Sequence, residues 1–264
     1  MVCYVYSIQE TLSKKTYLQI AVIYDRIIIT GSDYMENTCS FKVIAHIYND
    51  FRTKFGIPRQ SGLDEGTGES IIVFEPEYRD ENALRGIEEY SHLWLIWHFS
   101  QAKCDKWHPT VRPPRLGGNK RVGVFATRSP FRPNPVGLSS VKLIEVKKTK
   151  EHGTVLKVLG SDLMDGTPIF DIKPYLSFTD SHPEAKNGFA DKVFEKSLDV
   201  IFTPDTEKLL TQKQKDELSS LLSQDPRPSY QNDEERTYGM DYSNFNVSFR
   251  VCGNTLTVIS VTEK

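Results

Sequence analysis

The sequence predicts a mainly β fold, with a closed β-barrel as the main domain and a small α+β unit as the C-terminal domain. Short apolar runs recur between tight-turn signals before residue 200, and helical spacing is rare there. The last part of the chain instead combines one helical segment with alternating apolar residues. A βαβ sandwich would require strands that alternate with helices, so the pattern favours a barrel or closed sheet.

The chain has 264 residues, which is enough for one main domain and a smaller second one. We predict a main domain over residues 41–190 and a C-terminal domain over residues 191–264, because polar residues accumulate between Ser181 and Phe202. Residues 1–40 contain one predicted strand, Tyr17–Thr30, and form an N-terminal extension to which no role is assigned.

Short apolar runs define the strands of the main domain. Leu93–Phe99 is apolar at almost every position, which is typical of a central strand that is buried on both faces. Asn82–Tyr90 has helical spacing instead, and Asp165–Pro168 predicts a tight turn between two antiparallel strands. The other predicted strands are Phe41–Ile47, Ile71–Phe74, Val122–Ala126, Gly137–Val146, Thr154–Leu159 and Ile169–Ile172.

The C-terminal domain is predicted to contain one helix and a β-hairpin. Thr203 suits the N-cap position and Pro204 the first helical position, and leucines then recur up to Asp225. Apolar residues alternate over Phe245–Val251, after which Gly253 begins a turn into a second strand.

The most informative segment is Leu116–Ser140, LGGNKRVGVFATRSPFRPNPVGLSS. Its three prolines restrict the backbone, so Arg128 and Arg132 are held stiffly and lose little entropy when they bind an anion. Guanidinium groups suit carboxylates and phosphates, which makes a small anionic ligand or an RNA backbone the natural partner. A proline-rich surface turn, or a ligand for a recognition domain, is the alternative.

Charge is unevenly distributed along the chain, although the net charge of −2 does not by itself indicate a nucleic-acid partner. Eight basic residues and one acid, Asp105, lie between Lys103 and Arg132. Such a block indicates contact with a polyanion, and a solvated loop face is the alternative. The candidate polyanion-binding residues are Arg112, Arg115, Lys120, Arg121 and Arg132.

Several common kinds of site are absent from the sequence. No GxGxxG follows a strand, and neither a GxxxxGK[ST] phosphate loop nor a GxSxG nucleophile motif is present. The six histidines and four cysteines do not fall at zinc-ligand spacings, so no metal site is predicted. Scattered cysteines indicate reduced thiols in a cytoplasmic protein, and no apolar run of about 18 residues predicts a membrane span.

Five motifs occur in an order and at a spacing that are typical of one family. They are PRQSGL (Pro58–Leu63), RGIEEYSHLWLIWHFSQ (Arg85–Gln101), VRPPRLGGNKRVGVFATRSPFRPNPVGLS (Val111–Ser139), GSDLMDGTPIFDIKPY (Gly160–Tyr175) and DPRPSY (Asp225–Tyr230). Together they resemble the TrmO family, also called the TsaA-like or YaeB family, from Phe41 to about Val251. Members are S-adenosylmethionine-dependent enzymes that methylate N6 of threonylcarbamoyladenosine at position 37 of tRNA.

The resemblance implies a β-barrel that binds S-adenosylmethionine in loops near a homodimer interface, with the anticodon stem-loop of tRNA as partner. Arg128 would bind the methionine carboxylate, and Leu138 and Met164 would contact the adenine face. Relatives commonly have His-Gln where this chain has Ser100-Gln101, so a histidine contact is not carried over. By motif match the cofactor residues are Pro58, Arg59, Gln60, Ser100, Gln101, Arg128, Leu138, Asp162, Leu163, Met164, Asp165 and Gly166.

The predicted reaction is an in-line methyl transfer to N6 of the modified adenosine, driven by positioning and by an electropositive cleft. Asp165 is the candidate catalytic residue, as the group that orients or accepts the N6 proton. The basic block would hold the phosphates of a threonine tRNA. The alternatives are a non-catalytic module that senses the cofactor or binds RNA, and a methyltransferase with a different acceptor.

Overall fold

The computed structural model describes residues 39–53, 57–58, 61, 68–102, 106–113, 116, 119–190, 198–227 and 233–264. In these parts the strands are β1 (Ala45–Tyr48), β2 (Ser70–Phe74), β3 (His92–His98), β4 (Thr110–Val111), β5 (Val122–Gly123), β6 (Val136–Thr149), β7 (Gly153–Leu159), β8 (Thr167–Pro174), β9 (Asp199–Phe202), β10 (Tyr238–Tyr242), β11 (Phe245–Cys252) and β12 (Thr255–Glu263). The helices are α1 (Ser177–Asp180), α2 (Pro204–Glu207) and α3 (Gln212–Ser223). The predicted mainly β class is confirmed.

Six strands form the largest sheet, in the order β1-β2-β7-β6-β3-β8. Strand β1 is antiparallel to both β2 and β8, so the sheet closes on itself as a barrel. Alternate side chains point inward, and their apolar surfaces form one core. That core contains Ala45, Ile47, Ile72, Phe74, Leu93, Leu95, Trp97, Val141, Leu156, Val158, Leu163 and Ile169.

Strand β3 lies between β6 and β8, as expected of a central strand, but it is buried on one face only. Leu93, Leu95 and Trp97 point into the core, whereas Trp94 and Ile96 are only partly buried. The prediction of burial on both faces was wrong, because a sheet closed into a barrel has a single inward face and nothing in the sequence distinguishes the outward apolar residues.

Three other local predictions need correction. The predicted helix Asn82–Tyr90 is replaced by two 3-10 helices, Glu81–Leu84 and Ile87–Glu89, which are separated by Arg85 and by Gly86 with its left-handed φ of 87°. Only Val122 and Gly123 of the predicted strand over 122–126 pair as a strand; a 3-10 helix follows. The turn at Asp165–Pro168 exists, but β7 and β8 on either side of it are not neighbours in the sheet.

The C-terminal part is a small α+β unit, but a larger one than predicted. Four strands form a second sheet in the order β10-β11-β12-β9, in which β9 is parallel to β12. The predicted single helix is two helices, α2 and α3, because Thr211 begins α3 with a reciprocal capping box to Gln214. Strand β9 lies inside the segment that the sequence marked as a boundary.

Residues 42–264 form one compact unit, and the structure describes only residues 39–41 of the chain before it. The predicted strand Tyr17–Thr30 lies outside the described residues, as do residues 191–197, which begin the predicted C-terminal domain. The division of the chain at residues 40 and 190 therefore stays a prediction.

Gly137 in β6 is a position where a side chain would meet the barrel core. A Cβ atom there would lie 2.2 Å from Cε2 of Trp97, whose ring is buried. We expect Gly137→Ala to lower the free energy of unfolding by about 1–3 kcal/mol, because the indole must shift within a packed core. Urea unfolding would measure this.

The matched control is Gly239→Ala in β10, where the nearest atom to a new Cβ is 3.9 Å away. Equal unfolding midpoints for Gly137→Ala and the wild-type chain would contradict the packing described here.

Candidate functional site

A cleft of about 930 Å³ lies along strands β3 and β6. The strand register places His92 opposite Lys142, Trp94 opposite Ser140 and Ile96 opposite Leu138. The seven residues of β6 from Val136 to Lys142 span roughly 20 Å at the ordinary rise of a strand. The cleft is therefore long enough to have two distinct ends.

Arg128 and Arg132 line one end of the cleft. The Thr127 hydroxyl donates to the carbonyl of Val124 (2.8 Å) and accepts from the backbone N–H of Ser129 (3.2 Å). Nη1 of Arg132 donates to the Thr127 carbonyl at 3.1 Å. These local hydrogen bonds and the flanking prolines restrict the segment that carries both arginines, so it has little conformational freedom to lose when an anion binds.

Asp162 supplies a carboxylate to the same cleft. It follows β7 after Gly160, whose φ of 75° is left-handed. Nε1 of Trp97 donates to the Ser139 hydroxyl at 2.9 Å, and that hydroxyl donates to Oδ1 of Asp162. A hydrogen-bond chain thus runs from the barrel interior to the carboxylate and fixes its position.

Burial raises the pKa of Asp162 above its ordinary value, because desolvation disfavours the charged carboxylate. The hydrogen bonds from the Ser139 hydroxyl and from backbone N–H groups, including that of Ser61, act in the opposite direction, as does the charge of Arg128. Desolvation is the largest of these effects. A carboxyl with a raised pKa is a stronger base than an exposed aspartate, which is a common property of catalytic groups.

An aromatic group lines the other end of the cleft. The Tyr175 ring lies 5.4 Å from the Trp94 ring and 6.1 Å from the His92 ring, between centroids. Nε1 of Trp94 donates to Oδ2 of Asp180 at 2.7 Å. The backbone N–H of Leu176 is the first cause, and the Trp94 indole the second, of a lowered pKa at Asp180. This aromatic group was not predicted from the sequence, although His92 and Trp94 occupy alternate positions of β3 and so lie on the same, outward face of the strand.

The structure brings some of the predicted cofactor residues together and leaves others apart. Those that line the cleft are Pro58, Arg128, Leu138 and Asp162. Ser100 and Gln101 follow β3 in a turn and do not line it, whereas Phe99 does. Leu163, Met164, Asp165 and Gly166 are also not among its lining residues. Arg59 and Gln60 lie outside the described residues.

The run from Leu163 to Gly166 has a structural explanation of its own. Leu163 is fully buried in the barrel core. The Asp165 carboxylate accepts a hydrogen bond from the backbone N–H of Asn49 at 3.0 Å, and the Asp165 N–H donates to the carbonyl of Phe51 at 2.9 Å. Asp165 therefore stabilises the loop after β1, which is a simple reason for an aspartate at this position.

The predicted polyanion-binding residues surround a small hairpin formed by β4 and β5. Arg112 directly follows β4, and Lys120 and Arg121 directly precede β5. Nη1 of Arg121 donates to the Thr110 hydroxyl across the hairpin at 3.0 Å. Arg132 differs from the others because it lines the cleft itself. Arg115 lies outside the described residues.

The described parts of the chain contain neither a cluster of possible metal ligands nor a helix that could span a membrane. No three or more histidine, cysteine, aspartate or glutamate side chains lie close enough there to hold a metal ion. No helix in those parts is both long and apolar enough to cross a bilayer.

Family models match both halves of the chain. Residues 46–181 match the tRNA-methyltransferase O N-terminal domain, and residues 195–264 match the TrmO C-terminal domain. The barrel, the cleft and these matches define the class of protein as a tRNA methyltransferase. The chain belongs to the TrmO family.

Relatives and solved structures agree with this assignment. A tRNA (adenine(37)-N6)-methyltransferase of Escherichia coli K12 is 45% identical over 219 residues, which cover 80% of this chain and 92% of that protein. A protein of the same name from Eikenella corrodens is 42% identical over 61% of this chain and 91% of its own length. The crystal structure of TrmO from Pseudomonas aeruginosa has a TM-score of 0.69 and 30% identity, and the match covers 88% of this chain and all 100% of that one.

The raised pKa of Asp162 has a consequence for stability. Between the ordinary pKa of an aspartate and the raised folded-state value, the folded chain binds more protons at this carboxyl than the unfolded chain does. Its contribution to the free energy of unfolding therefore falls as pH rises through that window. Asp162→Asn should lack this fall, and urea unfolding of both chains from pH 4 upward would measure the difference. Parallel stability curves across the window would contradict the assigned burial.

Proposed function

We propose that this protein transfers a methyl group from S-adenosylmethionine to N6 of adenosine 37 in tRNA, and that the acceptor is the threonylcarbamoylated adenosine of a threonine tRNA. Membership of the TrmO family and the names of its relatives support the reaction class. The observation that carries the proposal is the meeting of Arg128, Leu138 and a desolvated Asp162 in one cleft next to a strongly basic hairpin.

The residues present in the cleft fit S-adenosylmethionine. A volume of about 930 Å³ is at the upper end of the range for small-molecule sites, so it has room for a cofactor and an acceptor base. Arg128 suits the methionine carboxylate, and the exposed Leu138 side chain offers an apolar surface for the adenine. When bound, S-adenosylmethionine supplies an electrophilic methyl group on a positively charged sulfur.

Asp162 is the residue that we assign to proton transfer. N6 must lose its proton when it gains a methyl group, and a carboxylate with a raised pKa is suited to take that proton. The Ser139 hydroxyl donates to Oδ1 and holds the carboxylate in the cleft. Asp165, the candidate from sequence, is engaged by the Asn49 N–H and lies outside the cleft lining.

The basic residues around the β4–β5 hairpin are proposed to hold the anticodon stem-loop. Arg112, Lys120 and Arg121 would contact phosphates, and Arg132 joins that surface to the cleft. Arg115 belongs to the same block in the sequence. The homodimer and the cytoplasmic location implied earlier stay predictions. So does the placement of the cofactor loops near a subunit interface.

The direct test is incubation of the purified protein with labelled S-adenosylmethionine and threonine tRNA that carries the threonylcarbamoyl group, followed by nucleoside mass analysis. We expect a gain of one methyl group on the modified adenosine. Arg128→Ala should abolish the gain and weaken cofactor binding, because the carboxylate loses a charge-assisted partner. Calorimetry would measure that binding.

Arg250→Ala is the matched control, because Arg250 is an exposed arginine on β11 outside the cleft. Transfer at an equal rate to tRNA without the threonylcarbamoyl group would refute the substrate assignment alone. Cofactor and tRNA binding without any product would instead favour a non-catalytic module.

The two aspartates can be separated by kinetics. We expect Asp162→Asn to lower kcat by about 10²–10⁴-fold, the usual contribution of a general base. Asp165→Asn should leave kcat within a few-fold of wild type, because its carboxylate bonds to the loop after β1. Single-turnover methylation with saturating tRNA measures both. The reverse order of effects would return the catalytic role to Asp165.

A further inference from the structure

Three large aromatic side chains are exposed beside the cleft. Trp107 is 49% exposed, Phe125 is 71% exposed and Phe131 is 49% exposed. Phe125 and Phe131 bracket Thr127 and Arg128, which line the cleft. Grouped exposed aromatic rings are unusual in a free surface and mark a place where something binds.

The rings are arranged as a platform rather than scattered. The Trp107 and Phe125 rings are 6.3 Å apart between centroids and inclined by 31°. Cζ of Arg132 lies 6.0 Å from the Phe125 centroid, within reach of a cation–π contact. Because Arg132 also lines the cleft, the platform and the cleft share one wall.

Charge identifies the kind of partner. Between Asp105 and Glu145 the sequence has eight lysines and arginines and no acid. A surface of this sign repels another of the same sign, so a second copy of this chain placed across a two-fold axis on the patch is disfavoured. Exposed rings interleaved with basic side chains are the usual surface for single-stranded nucleic acid, whose bases stack while its phosphates pair.

We propose that Trp107 and Phe125 form a stacking platform for an unpaired nucleobase of the anticodon loop, adjacent to the base that enters the cleft. The inference rests on the tRNA substrate proposed above. It adds a stacking contact, which does not depend on hydrogen bonds to the edge of the base. Arg132 aligns the Phe125 ring and joins the stacked base to the cleft. The platform accordingly positions the loop and does not take part in the transfer.

The test uses the full chain and a hairpin RNA with the anticodon stem and loop of threonine tRNA, carrying 2-aminopurine at one loop position at a time. In wild type we expect the fluorescence to be quenched at one position, where the base stacks. Phe125→Ala and Trp107→Ala should each raise the Kd about tenfold, the usual effect of removing one stacking ring, and abolish that quenching. Phe125→Tyr should retain both.

Two controls separate stacking from charge. Tyr48→Ala removes a ring of similar exposure, 48%, on β1, which is not a neighbour of β3 or β6 in the barrel, and it should bind RNA like wild type. The double variant Arg112→Ala/Lys120→Ala should reduce the dependence of log Kd on log salt. The ring variants should leave that slope unchanged.

Unchanged affinity and quenching in both ring variants would overturn the platform. So would a loss of self-association, measured by sedimentation, with RNA binding intact, because the rings would then belong to an interface between copies. If wild type methylates tRNA while the ring variants bind it normally, only the platform fails. If wild type neither binds nor methylates tRNA, the proposed function fails with it.

Discussion

The hydrogen-bond chain from Trp97 through Ser139 to Asp162 is the interaction on which the cleft depends. It joins three parts of the barrel: β3, β6 and the segment that follows β7. The indole can occupy its position only because Gly137 on the neighbouring strand has no side chain. The packing of the Trp97 ring in the core and the position of the Asp162 carboxylate are therefore coupled, and neither can change without the other.

The cleft keeps its opposite charges in different environments. Asp162 is desolvated and bonded to buried groups, whereas Arg128 is exposed on a segment held by prolines and short-range hydrogen bonds. A cation in water costs little to maintain and attracts anions over a distance. A carboxylate removed from water gains basicity at a cost in stability. Arg128 is therefore suited to attract an anionic ligand, and Asp162 is suited to accept a proton.

Sequence reasoning reached the mainly β class, most barrel strands and the arginines because these follow from local patterns. Apolar runs in the sequence predict the strands, and the neighbouring prolines single out Arg128 and Arg132. The sequence could not reveal that Trp94 faces outward, because apolar residues occur on both faces of β3 and their identity does not show which face is buried. Ser139 and Asp180 were missed for a related reason: their partners are 42 and 86 residues away in the sequence. Asp165 became the candidate because it lies in the family-like motif GSDLMDGTPIFDIKPY, while its hydrogen bond to Asn49 joins residues 116 positions apart.

Phe51 lies in the loop after β1, yet its side chain belongs to the hydrophobic core of the C-terminal sheet. It packs in one cluster with residues such as Leu218, Tyr242 and Val247, which are synthesised more than 160 residues later. Except for Ile57, the apolar partners of this ring in the cluster lie at Leu198 or beyond, so most of them are synthesised long after it. The loop that carries it, which is hydrogen-bonded to Asp165, therefore completes its packing only after that later part of the chain is present.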